Sequence, residues 1–335
     1  MMRNRPSKAL GTPSGLDVAA TSAADRRPVD QRPRVALMGS VNSSLETLEQ
    51  LIKHQCNVVM VLGLPPEKAS RVSGYQDIVA RARAAGIPAM YFHKASDPAV
   101  YEALSPLGID YLFVVGLSQL IRPPLLDLAR RANVGFHPTR LPEGRGRGAI
   151  AWLVLGRAAG AATFFELGEG MDDGPILAQV PFTVAPTDYA SDVIETVRRA
   201  ARVALDDLLP ALNAGTLVGT PQVEANATYL GQRRPHDGII DWHRAAADVH
   251  RLIRATSSPL PGARSYCARS ADAPLRITIW RAEVLMAYAG VPGRIIAFRD
   301  ELPVVACAEG ALHITQYTAD EPPTWRIGTD LITPK

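Results

Sequence analysis

The chain has 335 residues, 47% hydrophobic and 21% charged, with 36 basic against 33 acidic side chains and a net charge of +3. This composition excludes a wholly disordered chain, and at roughly 100–200 residues per domain the length predicts two domains. The near balance of charge lacks the clustered basic excess that phosphate neutralisation demands, so no nucleic-acid partner is expected.

Cys56, Cys267 and Cys307 are widely spaced and form no CxxC pair. That spacing points away from a disulfide framework or a thiolate zinc site, and no metal is expected. The cysteines read as small buried hydrophobes of a reducing compartment. No apolar run approaches the ~20 residues of a membrane helix, and the first residues lack the apolar stretch of a signal peptide. The expectation is a soluble, cytoplasmic protein with no membrane partner.

Residues 1–32 are rich in Pro, Ser, Ala, Arg and Asp without apolar periodicity, and read as a disordered extension. Val35–Gly39 is a short apolar run ending in glycine, the pattern of a buried parallel strand. Ser43–Ile52 follows as a helix, with a serine cap ahead of leucines at helical spacing. Asn57–Gly63 reads as a strand, 75–85 as a helix, Pro88–Phe92 as a strand, 97–105 as a helix and Asp110–Val115 as a strand. Apolar strands alternating with amphipathic helices predict a parallel sheet covered on both faces. Ligands of such sheets bind beyond the strands' carboxyl ends, here the loops after Leu37, Leu62, Val115 and Phe136. The first of these loops, Gly39-Ser40-Val41-Asn42-Ser43, is not GxGxxG, and no GxxxxGK[ST] loop occurs, which removes the support for a dinucleotide or triphosphate.

Past about residue 210 the texture changes. His243–Thr256 reads as one helix, and Leu275–Trp280, Arg294–Phe298, Val304–Cys307 and Ala311–Ile314 as short strands between Pro/Gly turns. Such a succession predicts a small barrel. His236, His243 and His250 recur every seven residues, not at the i, i+4 spacing of a helical zinc pair, and are expected at the surface.

Two segments carry chemistry. Val134–Trp152 delivers His137 from a β-like run into a loop holding Pro138, Pro142, Gly144, Gly146, Gly148, Arg140, Arg145 and Arg147. A histidine at a strand's carboxyl end is placed for proton transfer near neutral pH, and as readily for a hydrogen bond to its own loop. Ala162–Gln179 is a strand, a tight turn with Glu169, Asp172 and Asp173, and a second strand. Paired acids in a turn are most often solvated; one that met His137 would orient its imidazole.

Together these segments resemble the signature of formyltransferases that use 10-formyltetrahydrofolate. There N-x-H-x-S-x-L-P is followed by R-G-x-x-P and then D-E-G-x-D-x-G; here HPTRLPEGRGRGAIAW is followed by GEGMDDGPILAQ, Gln179 included. Further on, RRPHDGIIDW at 233–242 is similar to the start of that family's second domain, and Pro261-Gly262-Ala263 and Gly310-Ala311-Leu312 continue the pattern. The likeness is greatest to members acting on nucleotide-linked aminoarabinose and smaller to those acting on methionyl-tRNA. It implies an α/β fold, a Rossmann-like doubly wound parallel sheet followed by a small OB-like β-barrel domain. The divisions expected are 1–32, 33–215 for the catalytic domain and 216–335 for the C-terminal domain.

The resemblance implies that His137 is the catalytic histidine and Asp172 the carboxylate that poises it. It further implies that the formyl donor meets Gln119, Leu120, Ile121, Arg147, Gly168, Glu169, Gly170, Met171 and Asp172. One position departs from the pattern: the family's asparagine, two residues before the histidine, is Gly135. Loss of one oxyanion donor costs about 10²–10³ in rate. Either His137 carries the oxyanion alone, another group substitutes, or the family reaction is lost. Asn133 lies four positions before His137, about 13 Å along an extended strand at ~3.3 Å per residue, and is a poor substitute.

The segment 63–75 is short and weakly basic, unlike the basic insertion of the tRNA-specific members. A small-molecule amine, an amino sugar on a nucleotide carrier, is therefore the expected substrate, with Arg140, Arg145 and Arg147 available to phosphates or to the donor's glutamate. The alternatives are a natural-product amine formyltransferase, a formyltetrahydrofolate hydrolase, and an inactive folate- or nucleotide-sugar-binding relative.

Overall fold

The computed structural model describes residues 27–156, 159–267 and 274–333. Residues 1–26, most of the expected extension, lie outside the described residues. Residues 27–32 pack on the body: Val29–Gln31 form a 3₁₀ turn, and Arg32 donates to the carbonyls of His54 and Gln55.

The first layer is built from β1 (Arg34–Gly39), α1 (Asn42–Lys53), β2 (Asn57–Gly63), α2 (Ile78–Ala84), β3 (Ala89–Tyr91), α3 (Pro98–Leu104), β4 (Tyr111–Val114) and β5 (Ala132–His137). After β6 (Arg145–Gly146) and α4 (Ala149–Gly156), the hairpin of β7 (Gly160–Glu166) and β8 (Ile176–Phe182) completes the sheet, and α5 (Ala190–Ala214) covers it. The strand order is β3-β2-β1-β4-β5-β7-β8. The pairs from β3 through β5 are parallel, and β7 and β8 join antiparallel at one edge.

Val35, Ala36, Leu37 and Met38 are all fully buried, because both faces of β1 are covered. Val35 and Leu37 join Tyr111, Phe113 and the apolar stripe of α5, whereas Ala36 and Met38 join Leu112 and the α3 side. The serine cap of α1 takes a different form from that expected. The helix starts at Asn42, and Ser44 in its first turn accepts from the amides of Ser40 and Val41. Between α1 and α5 lies a buried charge, Glu46, 2.6 Å from Arg198 and 2.8 Å from Arg202. Burial pushes its carboxyl up, but hydrogen bonds from Arg202, Gln50 and Arg198 outweigh this and hold it below the ordinary value.

After α5 a connecting segment pairs β9 (Tyr229–Leu230) with β6, and α6 (Ala246–Thr256) leads into the second sheet. That sheet comprises β10 (Ala263–Cys267), β11 (Leu275–Leu285), β12 (Ile295–Arg299), β13 (Leu302–Ala306), β14 (Ala311–Ala319) and β15 (Leu331–Ile332), ordered β12-β13-β14-β11-β10-β15. It curls until its edges meet: Ile295 N–H donates to Thr329 O, Gly328 N–H to Ile295 O and Leu331 N–H to Gly293 O. Trp242, 2% exposed, fills the core beneath α6 and donates its indole N–H to Ser265 Oγ at 2.9 Å. The helix expected from His243 begins at Ala246, because Asp241 draws the His243 amide into a turn at 3.0 Å. The three cysteines are buried, and burial pushes the thiols of Cys56 and Cys307 up to about 12. Among the described residues no helix is long and apolar enough to cross a membrane.

His236 and His243 are exposed as expected, but His250 is half-buried. It sits where α6 meets the start of α5, its Nε2 3.3 Å from the Tyr189 hydroxyl, which also bonds the Ala282 carbonyl. Burial, then the Arg254 charge, push its pKa down to about 4 against a backbone bond at Ala282 that raises it; Arg281 lies over the Tyr189 ring. With the folded value below the ordinary 6.5, the unfolded chain binds the extra proton first. Stability is therefore full above pH 6.5 and falls as pH drops toward about 4. His250→Gln is expected to remove a loss on the order of 2 kcal/mol between those limits, read from urea unfolding at pH 7.5 and 4.5. Equal acid losses in both proteins would show that His250 does not titrate on unfolding.

Candidate active site

The sheet reverses between β1 and β4, and the carboxyl ends of β4 and β5 open onto one region beside this switch point. His137 is the last residue of β5, 7% exposed, and faces Thr163 across the antiparallel pair with β7. Its following loop is pinned from below. Thr163 Oγ1 donates to Thr139 O at 2.7 Å, and Gln179 Nε2 to Leu141 O at 3.0 Å. The loop therefore returns to the ring that starts it: His137 Nε2 lies 2.8 Å from the Gly144 carbonyl. A carbonyl only accepts, so Nε2 carries a proton in this arrangement.

The hairpin loop 167–175 leaves β7 at the amino end of β5 and folds back to the level of His137. Asp172 Oδ2 comes within 3.7 Å of His137 Nδ1, and accepts from the Gly146 amide at 2.9 Å. The turn needs Asp172 itself in the left-handed region, at φ 53°, a conformation Asp tolerates better than most residues. The pair that the residues alone left open is thus brought together by tertiary contact.

Gly135 sits two residues before His137 on the same face of β5, directly across from Phe165. A Cβ added at Gly135 would lie 2.8 Å from Phe165 Cζ. Phe165 is 1% exposed, so its ring fills the volume that a longer side chain at 135 would need. Asn133, next along that face, donates to Leu126 O at 2.8 Å, while its Oδ1 is buried without a partner among the described residues.

The other expected site residues distribute unevenly. Gln119 turns its amide to the loop after β3, accepting from Ala95 N–H at 2.7 Å and donating to His93 O at 3.1 Å. Ile121 is 4% exposed and packs into the core beside Leu125. Leu120 and Met171 project outward, 60% and 59% exposed. Gly168, Glu169 and Gly170 are exposed in the hairpin loop. Arg147 is exposed and donates to Ser118 O at 3.0 Å, which ties the loop after β4 to the one after His137.

Arg145 does not face a ligand. It is 1% exposed and engaged by Glu224 at 2.9 Å, the Tyr229 hydroxyl at 3.1 Å and Gln222 Oε1 at 3.0 Å. Its partners lie on the connecting segment after α5, where no motif marked them; the only sequence signal was an arginine among glycines.

Sequence models of known families match the chain in the same order as the two units. The model described as formyl transferase covers residues 34–209, and that of the formyl transferase C-terminal domain covers 233–324. Among solved structures, a variant of HypX from Aquifex aeolicus has a TM-score of 0.65 at 18% identity, over 87% of this chain and 45% of that one. The chain thus spans less than half the length of that protein. An N-formyltransferase from Helicobacter canadensis, in complex with folinic acid and dTDP-3-aminofucose, gives a TM-score of 0.61 at 15% identity, over 85% and 100% of the two chains. WlaRD, a sugar 3N-formyl transferase solved with dTDP and 5-N-formyl-THF, gives 0.60 at 14% identity, over 90% and 98%. At these identities the structures share a fold with this chain. The first family model alone spans more than half the sequence and contains His137, Asp172 and every strand of the first sheet, so the chain belongs to the formyl transferase family.

Proposed function

We propose that this chain moves a formyl group from 10-formyltetrahydrofolate to a small amine, an amino sugar on a nucleotide carrier. The observation that carries this reading is the buried His137, set between the Gly144 carbonyl and Asp172 at the sheet's carboxyl end. The residues present suit a reduced folate. Leu120 and Met171 offer exposed apolar surface on loops joined through Arg147 and Gly146. A pteridine presents flat apolar faces, the complement of that surface.

When bound, the donor supplies a formyl carbon activated on nitrogen. With Nε2 committed to Gly144, His137 Nδ1 is the atom that exchanges protons with the reacting groups. It takes the proton that the amine nitrogen sheds as the new C–N bond forms, and returns one to the departing nitrogen. Asp172 faces Nδ1 and offsets the charge that the ring then carries. Its carboxylate is held for this by the Gly146 amide.

A small acceptor is supported by the loop after β2. There Pro66–Arg71 is a single 3₁₀ segment, and Tyr75 closes the loop by donating to Leu64 O at 2.9 Å. WlaRD and the Helicobacter canadensis N-formyltransferase were solved with dTDP and a dTDP-linked amino sugar, which supports a nucleotide carrier.

The Gly135–Phe165 contact favours a second reading, since no side-chain amide is offered at that point of the strand. Under it the protein hydrolyses the donor with water or binds it without turnover. Tetrahydrofolate release, measured over a panel of nucleotide-linked amino sugars with an amine-free control, separates these. The proposal expects release that requires an amine. Amine-independent formate identifies a hydrolase, and binding without release across the panel sinks the transferase reading.

A further inference from the structure

The segment that joins the two units reaches back over the site, at both partners of the His137–Asp172 pair. Gln222 Nε2 donates to the carbonyl of Asp172 at 2.9 Å and to that of Gly174 at 2.7 Å. Its Oε1 accepts from Arg145 at 3.0 and 3.3 Å. Because guanidinium only donates, Arg145 fixes which end of the Gln222 amide faces the turn. Arg145 is in turn buried and anchored by Glu224 and Tyr229 from the same segment.

Six residues beyond Gln222, Thr228 Oγ1 accepts from the Gly144 amide at 2.8 Å, and Gly144 presents the carbonyl that His137 Nε2 meets. Directly after Thr228, β9 lies against β6 so closely that a Cβ at Gly146, φ 117°, would stand 2.4 Å from Leu230 O. Gly146 is the residue whose amide holds the Asp172 carboxylate. One stretch of connecting chain thus grips the acceptor of Nε2, the donor to Asp172 and the backbone of the Asp172 turn.

We infer that Gln222 is a positioning residue for the His137–Asp172 pair, holding the Asp172 turn through its two carbonyls. The physical need is plain in the turn. Asp172 sits at positive φ in a loop whose tip is exposed on both sides, Met171 and Asp173. Without the amide of Gln222 the backbone of that turn has lost two of its anchors, and Asp172 is free to leave the ring of His137. The effect of Gln222 passes through Asp172 and involves no contact with a reacting group. Its kinetic consequence rests on the formyl-transfer reading, whereas its structural consequence does not.

The test uses the full chain with Gln222→Met, which keeps the side-chain length, and Gln222→Glu, which keeps the acceptor for Arg145 but removes both donors. Both are expected to lower kcat by about 10–100-fold with little change in KM, since a misplacement near 1 Å costs that much. Introduced into Asp172→Asn, either substitution is expected to cost less than about 2-fold, because the group it positions is already disabled. Amide exchange across 168–175 is expected to accelerate in both variants while β1 keeps its protection. A kcat within about 2-fold of wild type, or a loss that simply adds to that of Asp172→Asn, overturns the inference. Should the chain prove not to transfer formyl groups, the exchange measurement decides alone: faster exchange at 168–175 upholds the positioning role, and unchanged exchange overturns it.

Discussion

His137→Gln is expected to lower kcat for formyl transfer by about 10²–10⁴-fold, the range a positioned general acid–base supplies. Glutamine reaches as far as Nε2 and keeps a donor for the Gly144 carbonyl, so the loop that His137 closes should stay in place. What it removes is the other ring nitrogen, Nδ1, which faces Asp172 at 3.7 Å. Donor affinity is expected to change by less than about 3-fold, because the proton is needed as bonds form and break, not for uniform binding. Single-turnover rates and direct folate titration read the two effects apart. A variant with wild-type turnover would show that His137 only ties its own loop, the bland alternative that the sequence held open.

Phe165→Ala is expected to destabilise the protein by about 3–5 kcal/mol, the range for emptying a buried aromatic site. Gly135→Asn alone is expected to cost about 1–3 kcal/mol, since its Cβ would meet the buried Phe165 ring at 2.8 Å. At 1% exposure Phe165 cannot swing outward without carrying its strand along. The informative measurement is the double substitution. The two residues are cross-strand partners in direct contact, so the costs should not add: the asparagine side chain fills part of what the ring vacates. Urea unfolding of the four proteins gives the coupling. Strict additivity would show that Gly135 and Phe165 are independent. The contact also accounts physically for a glycine where the family pattern has an amide donor, because the ring and that side chain compete for one space.

Much of the fold was legible because its signals are local. The all-apolar run of β1 announces burial on both faces, and the leucines of α1 announce a single buried stripe. His137 at a strand end and the acidic hairpin loop were visible for the same reason, each being a short contiguous pattern. The helix α5, which Gly215 in the left-handed conformation ends after 25 residues, was not among the elements read. Boundaries moved where a side chain competed with the helix, as Asp241 does ahead of α6. His250 was misplaced at the surface because a seven-residue recurrence says nothing about which face of α6 meets α5.

The sequence by itself determined the succession of elements, the two-unit organisation of apolar patterns, and the residue types able to move a proton. Only the tertiary structure decided which of these meet. Asp172 lies 35 positions beyond His137 along the chain and 26 beyond Gly146, whose amide it accepts, and that meeting depends on a hairpin loop folding back over its own strands. Arg145 looked available to a ligand, yet it is spent on Gln222, Glu224 and Tyr229 from a segment beyond α5. Gly135 was a bare departure from a motif until the ring of Phe165 appeared across the strand pair. The reason is common to all three. Local propensity and periodicity act over a few residues, whereas a buried charge or an aromatic ring is satisfied by whatever the packed chain brings beside it, and that is a property of the whole fold.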